Sequence, residues 1–79
     1  MPVLLRNGGY RFECYASDAG ERRHIHVKTN GKHAKIWLEP VISLAFSGRF
    51  QPHEMNAILR LVQRHRDRFV EQINDFFRG

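Results

Sequence analysis

The chain has 79 residues, 42% of them hydrophobic and 11% aromatic, a composition that excludes global disorder and fits a single domain over residues 1–79. Thirteen Lys and Arg against eight Asp and Glu give a net charge of +5, which admits a polyanion such as nucleic acid as partner. The lone Cys14 excludes an intramolecular disulfide framework. No apolar run reaches the about 18 residues of a membrane span, and "MPVLLRNGG" is too short and too early charged for a signal peptide, so a cytoplasmic protein with no membrane contact is expected.

The sequence reads as strands up to about residue 50 and as helix after it. Val3–Arg6 is a short strand candidate, and Asn7-Gly8 is a hairpin signal. Tyr10–Ala16 alternates, with Tyr10, Phe12, Cys14 and Ala16 toward a core and Arg11, Glu13 and Tyr15 away from it. "SDAGERR" reads as a loop. His24–Thr29 alternates again, with Ile25 and Val27 on one side and His24, His26 and Lys28 on the other. Asn30-Gly31 supplies the two positive-φ positions of a type I′ turn. Lys32–Glu39 returns with Ala34, Ile36 and Leu38 on one side and His33, Lys35, Trp37 and Glu39 on the other. A two-residue loop fixes the register: Thr29 faces Lys32, Lys28 faces His33, Val27 faces Ala34, His26 faces Lys35, Ile25 faces Ile36 and His24 faces Trp37. Pro40 ends that strand, and Val41–Phe46 is a further strand candidate.

Pro52 suits a first helical position, and Glu54 in the first turn suits the helix dipole. Met55, Ile58, Leu59, Val62, Phe69, Ile73, Phe76 and Phe77 then follow helical spacing. One long helix is expected, or two joined by a bend near His65–Asp67. The fold class is therefore α+β: an antiparallel sheet of three to five strands with a long C-terminal helix across its apolar face. A domain this small buries only about 60% of its unfolded surface, so a second copy or another subunit is a natural source of extra stability.

The positive charge lies mainly in the N-terminal half, where residues 1–50 hold eight basic and four acidic side chains. The stretch Arg22–Trp37 alone carries three of the five histidines and five of the thirteen Lys and Arg. The register collects these groups on the sheet face that the helix does not cover. Cleavage of RNA by attack of the 2′-hydroxyl needs a general acid, a general base and a cation for the phosphorane. His24 and His26 suit proton transfer, while Lys35 and Arg11 suit the charge; Glu13 is a candidate base or His-orienting group. Trp37 and Tyr15 offer flat surfaces for unpaired bases, and Lys28, His33 and Arg22 add contacts to the same nucleic-acid-binding face. A solvated polar sheet face and a non-catalytic nucleic-acid-binding or protein-adaptor module fit the same residues. Zinc is a third chemistry, since His24, His26 and His33 offer imidazoles. It is set aside because Lys28, Lys35 and Arg22 crowd the site with cations, so neither metal nor cofactor is expected.

The segments Gly8–Phe12, His24–Val27 and Lys35–Pro40 resemble a family of very short bacterial proteins catalogued as a domain of unknown function. These are candidate DhiT-like toxins of two-gene toxin–antitoxin pairs. The chain departs from that pattern at Arg23, where a proline commonly precedes the first histidine. The resemblance implies a toxin with a small antitoxin-like protein encoded nearby, and points to Arg11, His24, His26, Lys35 and Trp37. It brings no reaction with it. A metal-independent endoribonuclease is the expectation drawn from the residues themselves.

Overall fold

The computed structural model describes residues 3–78; Met1, Pro2 and Gly79 lie outside the described residues. Five strands, β1 (Val3–Asn7), β2 (Tyr10–Glu13), β3 (His24–Thr29), β4 (Lys32–Trp37) and β5 (Ser43–Phe46), form an antiparallel sheet in sequence order. One helix, α1 (Pro52–Arg78), follows. This is the expected α+β architecture, with the sheet at its upper strand count and the helix without a break.

The β3–β4 register agrees with all six expected pairs, because Asn30 (φ 38) and Gly31 (φ 78) both take the left-handed conformation a type I′ turn requires. The first hairpin turns one residue later than expected. Asn7 pairs with Tyr10, leaving Gly8 and Gly9 as the two turn residues with φ 57 and 86. Glycine adopts that conformation without steric cost whereas asparagine bears some, so a turn at Gly8-Gly9 is favoured over one at Asn7-Gly8. Strand β2 stops at Glu13 rather than Ala16, and Ala16–Asp18 winds into a single 3-10 turn.

Phe12, Ile25, Val27, Ala34 and Ile36 point from the sheet onto Met55, Ile58, Val62, Phe69 and Ile73 of α1. The Phe12 and Phe69 rings stack at 5.7 Å. Each of these side chains larger than Ala34 contributes about 1.5–3 kcal/mol on leaving water, so this layer holds the fold together. Cys14 is wholly buried in it, and burial raises its thiol pKa, which leaves it an inert core group. Leu59 and Phe77 are half-buried, while Phe76, expected in the core, is exposed.

Polar contacts seat the helix. Glu54, three residues into it, accepts a hydrogen bond from the Gln51 backbone N–H at 2.8 Å and pairs with Lys32 Nζ at 3.0 Å. That reach-back holds the helix start although Gln51 is a poor cap. Near the middle, Arg66 Nε donates to the Leu38 carbonyl at 2.9 Å, and Arg23 Nε donates to Asn74 Oδ1 at 2.6 Å. Among the described residues no helix is long and apolar enough to cross a membrane.

Candidate functional site

Period-two alternation and the register place the chemistry-bearing residues on the face away from α1. Arg11 lies beside Lys28 and Lys28 beside His33; Glu13 lies beside His26 and His26 beside Lys35; His24 lies beside Trp37. All ten site residues read from the sequence thus gather on or around this face, with Tyr15 and Arg22 entering from the β2–β3 connection.

The face is not open. His24 and His26 are only 2% and 7% exposed, although the helix lies on the other side. Tyr15, Asp18 and Arg22, in the connection from β2 to β3, lie against them. The 3-10 turn closes when the Tyr15 N–H donates to Asp18 Oδ2 and the Asp18 N–H donates to the Tyr15 carbonyl, each at 3.0 Å. Asp18, absent from the sequence-derived set, is thereby buried directly over β3. Its Oδ1 lies 3.2 Å from His24 Nε2 and its Oδ2 lies 3.2 Å from His26 Nε2.

Hydrogen bonds on the far side of each ring fix the two imidazoles. His24 Nδ1 donates to the Arg22 carbonyl at 2.8 Å; a carbonyl only accepts, so Nδ1 carries the proton. His26 Nδ1 lies 2.9 Å from His33 Nε2. A chain of contacts therefore runs from the buried Asp18 carboxylate through His26 to His33, which is half-buried. Nδ1 of His33 has no hydrogen-bond partner among the described residues. Tyr15 covers His26 with ring centroids 4.3 Å apart, and Trp37 meets His24 edge-on at 5.4 Å.

The cations expected to face solvent are engaged. Arg11 Nε contacts Glu13 Oε2 at 3.1 Å, Lys28 Nζ lies 3.8 Å from Glu13 Oε1, and Lys35 Nζ contacts Glu21 Oε1 at 3.0 Å. Arg22 and Lys35 sit 4.1 and 4.4 Å from the Trp37 ring centroid, and Lys28 sits 4.8 Å from that of Tyr15. Glu13 is buried among Arg11, Tyr15 and Lys28, so Asp18 and not Glu13 orients the histidines. The surface is more nearly balanced than the sequence suggested.

Burial pushes the His26 pKa down to about 4; the Asp18 carboxylate pulls it upward, and His24 and His33 push it further down. Glu13 and Lys35 flank it on the neighbouring strands. Burial, with Lys28 second, also lowers the His33 pKa. In the unfolded chain His26 titrates near ~6.5, so between about pH 6.5 and 4 the unfolded chain binds the extra proton. The stability from a neutral His26 is therefore whole above about pH 6.5. It is lost as pH falls through that window, by about 3 kcal/mol at its lower end. Urea unfolding of chelator-treated protein from neutral pH down to about 4 measures this, and a flat profile beside a His26→Gln control contradicts it.

A family model described as a domain of unknown function, DUF4160, matches residues 9–73, a span that contains the whole site. No curated protein and no solved structure matches the chain.

Proposed function

The chain belongs to the DUF4160 family, and within it we propose an RNA-cleaving module that works in the manner of a toxin, held in check by a small protein encoded nearby. The observation that carries the reading is the Asp18–His26–His33 chain, which leads from a buried carboxylate to a half-exposed imidazole. A carboxylate behind a histidine holds its tautomer and stabilises its charged form, and here the effect passes through one more ring. With His26 Nε2–H donated to Asp18 and His33 Nε2–H donated to His26, the free lone pair is on His33 Nδ1.

His33 Nδ1 takes the proton of the 2′-hydroxyl. The 2′-oxygen bonds to phosphorus, the bond to the 5′-oxygen breaks, and that oxygen takes a proton from water. Lys28 directly across from His33 and Lys35 two residues along β4 offset the charge on phosphorus. Arg11, half-exposed in its side chain, and Arg22 hold flanking phosphates. A base stacks on Tyr15 or Trp37 for about 1–3 kcal/mol. His24 and His26, the residues first expected to exchange protons, act here as positioning groups beneath the surface.

The test uses labelled single-stranded RNA with chelator present. Cleavage leaving a 2′,3′-cyclic phosphate is expected, falling by about 10²–10⁴-fold in His33→Ala with RNA affinity kept, and growth arrest on expression should disappear in the same variant. Absence of both cleavage and binding in the parent protein overturns the reading. Binding without cleavage favours the adaptor class, for which the exposed Val41, Leu44 and Phe46 at and beside the outermost strand β5 speak independently.

A further inference from the structure

We propose that Asp18, His24 and His26 form a binding site for a divalent transition metal, with zinc the ion that fits best. The site itself stands without RNA; only its effect on the proposed cleavage rests on that reading.

The donor set comes first. Two imidazoles and one carboxylate are a common three-ligand set for a zinc site that leaves a further position free. The ligand atoms here all lie within 4.8 Å of one another. The carboxylate straddles the gap, with one oxygen 3.2 Å from each Nε2. With bonds of about 2.0 Å, the edge of a tetrahedral zinc site is about 3.3 Å, so each imidazole nitrogen and the carboxylate oxygen nearest it already stand one such edge apart.

The second observation is independent of that spacing. Among the described residues His24 Nε2 is buried and has no hydrogen-bond partner, although Asp18 Oδ1 lies 3.2 Å away. The Arg22 carbonyl holds the proton on Nδ1, so in a neutral ring the bare Nε2 lone pair faces a carboxylate oxygen. Two electron-rich atoms held in that way at a buried site call for a positive charge between them. A metal ion supplies it. Donation of the remote ring N–H to a carbonyl is also the usual support of a metal-bound histidine, and His24 makes it.

The cations that argued against a metal from sequence do not crowd this point. Lys35 is paired with Glu21, Lys28 with Glu13, and Arg22 is drawn over Trp37, while Asp18 adds a negative charge among the ligands. An ion on His26 Nε2 would leave the proton on Nδ1, facing His33 Nε2, so that His33 accepts instead of donating. The metal-loaded protein therefore lacks the free lone pair on His33 that the proposed reaction uses, and the ion acts as an off-switch for it.

Chelator-stripped protein is titrated with zinc chloride at neutral pH by calorimetry, and with cobalt(II) chloride by visible absorption. One equivalent of each is expected to bind, with a tetrahedral or five-coordinate cobalt spectrum. Asp18→Asn and His24→Gln should each weaken binding by about a hundredfold or more, with folding checked by circular dichroism. In the parent protein, long-range proton–nitrogen NMR should show zinc moving the Nε2 and not the Nδ1 resonances of His24 and His26, a readout that no variant's folding can confuse. Absence of saturable binding overturns the site. So does binding that the variants leave unchanged, or binding that shifts His53, His65 or Cys14 instead. Each of these results leaves the RNA reading standing, and failure to cleave RNA leaves the metal site standing.

Discussion

Gly48→Ala should destabilise the protein by about 3 kcal/mol or more, a large part of the stability of so small a domain. Gly48 lies just past β5 with φ 58, a left-handed conformation that costs an L-residue about 1–2 kcal/mol. There is no space to accommodate the substitution, since a Cβ built there runs into the backbone carbonyl of His33 and lies 3.3 Å from the His33 nitrogen. Backbone cannot swing aside as a flexible side chain can, so β4 and the turn after β5 would have to part. Two other glycines calibrate the effect. Gly31 has φ 78 with open space around it, so Gly31→Ala should lose only the conformational term. Gly20 has neither a positive φ nor a close neighbour, so Gly20→Ala should be neutral or stabilising by about 0.4–1 kcal/mol. Urea midpoints at constant slope rank the three. A Gly48→Ala protein as stable as the parent would show that the close approach to β4 does not exist. The same substitution should impair the proposed chemistry, because the backbone it displaces carries His33.

The sheet and helix were legible because each follows from a local rule. Asn30-Gly31 permits one turn type, that turn permits one register, and the register places His26 beside Lys35 and Lys28 beside His33. The apolar spacing from Met55 to Ile73 likewise permits one helix face. Asp18 was not legible, because a lone aspartate in Ser17-Asp18-Ala19-Gly20 has the composition of any surface turn. A weaker signal was present. Strands β2 and β3 are adjacent and antiparallel, and two residues would join them, yet ten do. The surplus must lie against a face of the sheet, and the helix already occupies one. Chain length could thus have indicated that the His-bearing face is covered, though not that a carboxylate would sit between the two imidazoles.

The covering turn gives the second large effect. Asp18→Ala removes the acceptor for the Tyr15 N–H and the only carboxylate, among the described residues, that contacts His24 and His26. Loss of a turn-closing side chain is worth about 1 kcal/mol, and a buried donor left without its partner about 1–3 kcal/mol, so a drop of about 2–4 kcal/mol is expected. The loss should be localised. Amides of Tyr15–Gly20 should exchange with solvent faster, and His24 and His26 should become open to acylating reagents, while Phe12, Val27 and Phe69 keep their protection. Asp18→Asn separates the two roles. Its side-chain oxygen can still accept from the Tyr15 N–H, so stability should stay within about 1 kcal/mol of the parent. It lacks the negative charge that holds His26 and, through it, His33, so RNA cleavage should fall by about a hundredfold or more. If Asp18→Ala leaves stability and histidine protection as they were, something other than Asp18 holds the cover in place. If Asp18→Asn cleaves as well as the parent, the carboxylate is a structural cap and His33 works without it.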